Sequence, residues 1–370
     1  MKVLHLYKSY LPETVGGVEQ VIFQIISGTT LLGVKSEVLS LSSKAVERTI
    51  KFENHTVHRC RADIEIASTP FSLSAFFRFY RLAKKADVIH YHFPYPFADL
   101  LHFLLRIKKP TVVTYHSDIV KQKYLLKLYK PLMNRFLKSV DCIIATSPNY
   151  LKSSNILSQF REKVEVIPIG INKSTYPKEN LDRINFWKER LGSKFFLFIG
   201  VMRYYKGLHI LIEAASKSAH PVVIVGSGPI EKELKKQALI NKADNIHFVG
   251  FVSDIDKVAL LSLGYAVLFP SHLRSEAFGV TLLEGAMYYK PLISSEIGTG
   301  TSYINVNGST GIIIQPGSAD SLREAMDYLW NNPKIAAEMG KNAGERYERL
   351  FTADIMARSY YDVYRKLSEY

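Results

Sequence analysis

The chain has 370 residues, of which 47% are hydrophobic and 22% charged. That length exceeds one ordinary core and suits two domains, and the composition excludes a disordered chain. The formal charge of +14 is uneven: residues 1–170 hold 24 Lys and Arg against 13 Asp and Glu, and the rest hold 24 against 21. The excess points either to an anionic surface partner for the first half or to a generally basic protein.

The N-terminal residues from Met1 to Tyr7 read as a first strand, without the apolar centre of a signal peptide. No apolar stretch approaches the roughly 18 residues of a membrane span, so the chain is expected not to cross a membrane. Cys60 and Cys142 are the two cysteines, and neither has a metal-type spacing. A reducing, cytoplasmic setting is expected.

Strands are predicted at Val3–Tyr7, Glu37–Leu41, Asp87–Tyr91, Thr111–Tyr115, Asp141–Thr146 and Val164–Ile167. Several are near-continuous apolar runs, as parallel strands buried on both faces require. Gly16 and Gly17 lie between the first strand and a helix, where a backbone without Cβ atoms admits a phosphate. The stretches Phe71–Lys85 and Ile119–Lys138 mix cations with aromatic and aliphatic residues, although Pro131 interrupts the second. Such faces suit an anionic membrane surface, or else the apolar residues are core and the lysines merely solvated. His90 and His92 end one strand and His116 follows another, at the edge where open α/β sheets bind ligands.

Pro168-Ile169-Gly170-Ile171-Asn172 marks the boundary. Beyond it, strands are predicted at Phe195–Ile199, Val222–Val225, Ile246–Val249, Ala266–Phe269, Leu292–Ser294 and Gly311–Ile314, with helices at Leu208–Lys217, Glu231–Ile240 and Leu322–Trp330. Arg203 and Lys206 occupy a strand-to-helix loop from Gly200 to Gly207, placed for a diphosphate or simply solvated. Gly226 opens a Gly-Ser-Gly-Pro turn that either contacts ligand or only turns the chain. Asp254-Ile255-Asp256 reads as helix capping, and no metal site is expected. Glu276 precedes a helix and Glu284 lies inside it, with Phe278, Gly279 and Val280 at the helix start, where free N–H groups favour phosphate. A surface glutamate and an ordinary helix glutamate would read the same. From Ala353 to Tyr370 the pattern is one amphipathic helix. Alternating strands and helices throughout imply an α/β chain with two doubly wound parallel sheets. The expected domains are 1–168, with 353–370 packed back on it, and 169–352.

These segments together resemble the family 4 retaining glycosyltransferases, whose fold is GT-B: two Rossmann-like domains facing across a cleft. Glu276 to Glu284 matches that family's E-x7-E motif, and Gly16-Gly17-Val18-Glu19, the Pro168–Ile171 linker and the two glycine loops fall in the family's order. The resemblance implies that Glu276 holds hydroxyls of the donor sugar and Glu284 the ribose. It further implies that backbone around Phe278, Gly279 and Val280 contacts sugar and phosphate. Arg203 and Lys206 would neutralise the diphosphate, Gly16 would approach it, and His116 would lie near the reacting sugar. The family commonly has Gly-Arg where this chain has Gly200-Val201, so Arg203 is assigned the missing charge. Tyr115–Val120 and Glu296–Tyr303 look like segments of bacterial mannosyltransferases that use GDP-mannose to build polysaccharides such as O-antigen. A glycan or polyprenyl-diphosphate-linked acceptor is then expected, with no cofactor, metal or nucleic acid. Rival readings are a UDP-sugar transferase, a GT-B sugar-nucleotide epimerase and a basic nucleic-acid-binding protein.

Overall fold

The computed structural model describes the chain except Val15, 45–47, 120–122 and Tyr370, and the backbone but not the side chains of Lys123 and Tyr124. Val120 of the subgroup segment, and Lys121 with the side chains of Lys123 and Tyr124 in the basic stretch Ile119–Lys138, therefore lie outside the described residues. The chain forms two compact units, Met1–Gly170 with Ala353–Tyr370, and Ile171–Thr352.

The first unit holds β1 (Lys2–Leu6), β2 (Lys35–Ser42), β3 (Thr49–Phe52), β4 (His55–Arg61), β5 (Ile64–Ile66), β6 (Thr69–Phe71), β7 (Val88–Phe93), β8 (Thr111–Tyr115), β9 (Cys142–Ala145) and β10 (Val164–Val166). Its helices are α1 (Gly17–Leu31), α2 (Leu73–Ala83), α3 (Pro96–Leu104), α4 (Lys123–Ser139) and α5 (Pro148–Ser153). The main sheet runs β10-β9-β8-β7-β1-β2-β4-β3. Only β3 is antiparallel in it, pairing with β4, while β5 and β6 form a separate hairpin. All residues of β7, β8 and β9 are buried, as parallel strands covered on both faces are; β9 is an apolar run, whereas β7 and β8 bury His90, His92, Thr111 and Thr114 among their apolar residues. Pro131 sits inside a continuous α4 instead of ending a helix there.

The second unit holds β11 (Phe196–Ile199), β12 (Val222–Val225), β13 (Ile246–Gly250), β14 (Ala266–Phe269), β15 (Leu292–Ser295) and β16 (Gly311–Ile314). Its helices are α6 (Leu181–Leu191), α7 (Leu208–Ser216), α8 (Glu231–Ile240), α9 (Asp254–Leu263), α10 (Val280–Met287), α11 (Thr301–Ile304), α12 (Ala319–Asn331) and α13 (Pro333–Leu350). Its sheet is all parallel, in the order β13-β12-β11-β14-β15-β16. Because β11 pairs with both β12 and β14, the crossovers leave it in opposite directions. Open α/β sheets collect ligands outside the carboxyl ends at such a switch point. The last helix, α14 (Ala353–Ser368), returns to the first unit. No helix among the described residues is long and apolar enough to cross a membrane.

Candidate active site

In the second unit the loops after β11, β12, β14 and β15 end at one sheet edge. Phe269 closes β14, and the chain reaches α10 through Gly279. Gly279 has φ +100°, and an added Cβ would lie 3.2 Å from Leu282 and from the Phe269 ring. The left-handed backbone favours glycine there, and the space around it is tight. Leu282 N–H at the start of α10 donates to the Gly279 carbonyl at 2.9 Å, the N–H groups of Val280 and Thr281 precede it, and the helix dipole favours negative charge at this end. Phe278 is buried, so only its backbone is available to a ligand.

Glu276 and Lys206, both called from the sequence, meet here. Lys206 Nζ donates to Glu276 Oε2, and Ser271 Oγ donates to the same oxygen at 3.3 Å. The Lys206 ammonium also lies 4.7 Å from the Phe269 ring centroid. Glu276 Oε1 accepts no bond among the described residues. Glu284 repeats the arrangement inside α10. Its Oε1 accepts from Tyr176 Oη at 2.8 Å and Lys257 Nζ at 3.1 Å, and its Oε2 accepts nothing among the described residues. Burial acts most strongly, against the Lys257 ammonium, but the Glu284 and Asp254 carboxylates together hold the lysine pKa above its ordinary value. Each glutamate is thus oriented through one oxygen by a lysine, and its other oxygen has no partner among the described residues.

Arg203 is not brought into this group; it is exposed and makes no side-chain bond among the described residues. A different arginine joins the loop: Arg274 Nη1 donates to the Gly298 carbonyl at 3.1 Å, tying the β14 loop to the β15 loop. Lys257, Tyr176 and Arg274 were not found by sequence reasoning. Lys257 faces inward on a helix read only for its capping aspartates, and one of those, Asp256, pairs with Arg183 and Trp187. Gly226 has φ +121°, and a Cβ there would come within 2.2 Å of the Gly200 carbonyl oxygen. Its glycine is required by contact between two loops of the protein itself.

In the first unit Gly16 caps α1 with extended backbone, and a Cβ on Gly17 would meet nothing within 4 Å. The fold leaves open space at Gly17. At Gly16 a Cβ would reach Glu19 Oε2 at 2.5 Å, so a carboxylate of the protein already stands at this helix start, held through Oε1 by Ser9 Oγ at 2.7 Å.

His116 follows β8 and ends a row of buried histidines. His5 Nδ1 lies 3.1 Å from His92 Nε2, and His92 Nδ1 lies 3.0 Å from His116 Nε2. His5 Nε2 is buried without a partner. An orphaned N–H in a core costs more than an orphaned lone pair. That assigns the His5 proton to Nδ1, which donates to His92; His92 then donates from Nδ1 to His116, whose own proton is left on Nδ1. Burial holds His5 and His116 down to about 3 and lowers His92 too, so the row is neutral. His116 therefore offers an Nδ1–H donor, an atom with no bond among the described residues. His5, His90 and His92 come close enough to share an ion, but both His90 nitrogens are taken, by Tyr364 Oη and Thr114 Oγ1, each at 2.7 Å. Both His90 nitrogens are thus engaged within the fold.

Two Rossmann-like units, with paired carboxylates and a bare helix start at the switch point of the second, define a GT-B glycosyltransferase. Residues 15–175 match the family described as Glycosyltransferase Family 4, and residues 181–346 match Glycosyl transferases group 1. The chain is 58% identical to the D-rhamnosyltransferase WbpZ of Pseudomonas aeruginosa, covering 95% of this chain and 93% of that protein. It is 49% identical to the O-antigen chain mannosyltransferase C of Escherichia coli, covering 100% and 99%. Sucrose-phosphate synthase from Thermosynechococcus elongatus superposes with a TM-score of 0.81 at 19% identity, over 99% of this chain and 98% of that one. The chain belongs to the family 4 glycosyltransferases and is a hexosyltransferase.

Proposed function

We propose that the protein transfers mannose from GDP-mannose, with retention of anomeric configuration, to a glycan or polyprenyl-diphosphate-linked saccharide of an O-antigen-like polysaccharide. The observation that carries this is the pair of half-committed carboxylates, Glu276 on Lys206 and Glu284 on Lys257, flanking the helix start at Gly279. In this reading Glu276 Oε1 takes donor-sugar hydroxyls and Glu284 Oε2 takes the ribose. Lys206 and the α10 amides stabilise charge as the diphosphate leaves, in the place a metal would otherwise take, and Arg203, exposed on the Lys206 loop, is assigned to join them only when the diphosphate is bound. Gly16, Gly17 and Gly226 are assigned to the donor's approach, and His116 donates from Nδ1 to the sugar. No carboxylate nucleophile is assigned; the leaving phosphate accepts the acceptor's proton on the same face. The work is done on the cytoplasmic side, with the basic first unit against an anionic membrane.

A second donor is favoured by the 58% relative, named for D-rhamnose. D-rhamnose is 6-deoxymannose, so the two sugars differ only at the C6 hydroxyl. Transfer rates from GDP-mannose, GDP-D-rhamnose and UDP-glucose decide among them. GDP-mannose should be fastest; a faster GDP-D-rhamnose moves the assignment to the deoxy sugar, and a faster UDP-glucose overturns the guanosine donor.

A further inference from the structure

The first unit contains a cavity of about 660 Å³ between the β3–β4 hairpin and α2, away from the histidine row. Lys44, Arg48, Arg59, Arg61, Arg78 and Arg81 line it, and no carboxylate among the described residues does. Six like charges around one space repel one another, and that cost is recovered when an anion enters.

One of the six is built into position. Arg78 Nη2 donates to Thr49 Oγ1 at 2.6 Å and to His58 Nδ1 at 2.8 Å. A guanidinium only donates, so His58 Nδ1 must accept and its proton sits on Nε2, which donates to Glu37 Oε2 at 3.1 Å. Lys2 pairs with the other Glu37 oxygen at 2.6 Å. The chain Lys2–Glu37–His58–Arg78 fixes one edge of the guanidinium and leaves the rest of its fork for the cavity. Arginine forks match phosphate oxygens in pairs, which lysine ammoniums cannot do. Beside the cavity α2 exposes Leu73, Phe77 and Tyr80, at 69%, 56% and 44%, and Phe77 also lines the cavity. An anionic head in the cavity would thus have a hydrocarbon surface at its rim.

We infer that this cavity binds the diphosphate of an isoprenoid-type lipid, with the hydrocarbon chain lying on Leu73, Phe77 and Tyr80. This rests on the reading of a lipid-linked acceptor and names where the protein holds its head group. The test titrates the full-length protein with farnesyl diphosphate, farnesol and inorganic pyrophosphate, with GDP and UDP present at saturation to fill the donor site. Farnesyl diphosphate should bind at least about tenfold more tightly than either fragment. Arg78→Gln with Arg81→Gln should weaken it by about tenfold or more while GDP affinity stays put. Arg48→Gln with Arg61→Gln, which leaves the His58 brace intact, should weaken it likewise and guards against misfolding of the first pair. Equal binding of farnesol, or unchanged farnesyl diphosphate affinity in both double variants, overturns the site. Loss of binding to phosphatidylglycerol vesicles with farnesyl diphosphate affinity intact also overturns it, in favour of a surface contact. Transfer to a soluble saccharide, measured in the same variants, should persist; its absence in the wild type instead counts against the transferase reading.

Discussion

At the scale of single residues, the proposed site divides labour within each carboxylate. Glu276 gives one oxygen to Lys206 and Ser271 and keeps one. Replacing it with alanine removes the proposed sugar contact and leaves the Lys206 ammonium, whose side chain is only 13% exposed, without its partner. Transfer should fall by about 10²–10³, or roughly 2–4 kcal/mol, in a protein that still folds. Near-normal turnover by purified, folded Glu276→Ala would remove Glu276 from the site. The two glutamates and Lys206 were legible because a charged residue beside a glycine-broken strand end leaves a pattern in one stretch of chain. Lys257 and Tyr176 were not, because they reach Glu284 from 27 and 108 residues away and nothing local marks them. Arg203 was legible as a charge, but its exposed position came from the backbone of its turn, which composition does not encode.

At the scale of elements, strands with two buried faces announced themselves, and the misses have particular causes. The β5–β6 hairpin turns on Ala67 and Ser68, both with positive φ (51° and 63°), where Gly or Asn would have signalled it. The antiparallel β3 and β4 are rich in His, Arg and Thr and lack an apolar run. Helix α13 carries Gly340 and Gly344 in its interior, which weakens any helical pattern in that stretch; a Cβ on either would come within 2.3 Å of Tyr289. Packing set those glycines, not helix propensity. The start of α10 makes a further prediction. Gly279→Ala forces an L-residue into left-handed backbone against Leu282 and Phe269, at about 1–3 kcal/mol of stability. Nucleoside diphosphate affinity should fall with it, as shown by chemical denaturation and calorimetric titration on one sample; no change in either would mean the helix start is not strained or not used. The histidine row on β1, β7 and β8 makes another. Its members stay neutral in the fold, His5 and His116 down to about 3, whereas in an unfolded chain each takes up a proton near 6.5. Between those values the unfolded chain binds more protons. Stability is therefore complete above about pH 6.5 and is lost as pH falls, by about 1.4 kcal/mol per pH unit for each histidine. Melting of the first unit should drop sharply from pH 7 to pH 5, and a midpoint independent of pH over that range would contradict the neutral row.

At the scale of the whole molecule, the chain leaves its first unit at Gly170 and returns to it for α14. That return is a structural necessity for the first unit. Helix α14 buries Met356, Tyr360, Val363 and Tyr364, and its Ala357 lies against Gly28 of α1. Tyr364 Oη meets His90 Nδ1 at 2.7 Å, and Tyr360 Oη meets Thr114 Oγ1 at 2.9 Å, so the helix supplies the partner of one buried His90 nitrogen on β7 and a second partner for Thr114 on β8. Each large side chain it buries is worth roughly 1.5–3 kcal/mol, and four of them sum to the order of a domain's whole stability. A chain ending at Thr352 should therefore lose the first unit, while Ile171–Thr352 keeps its own sheet and its affinity for the nucleotide. Hydrogen exchange read by mass spectrometry separates the two: protection should vanish across β1, β7 and β8 and persist across β11, β14 and β15. Tyr364→Phe is the milder form; it keeps the packing, strands one His90 nitrogen and should cost about 1–3 kcal/mol. Full protection of β7 and β8 in the shortened chain would mean that the first sheet is closed without its last helix, and that the tyrosine–histidine contacts are incidental to its stability.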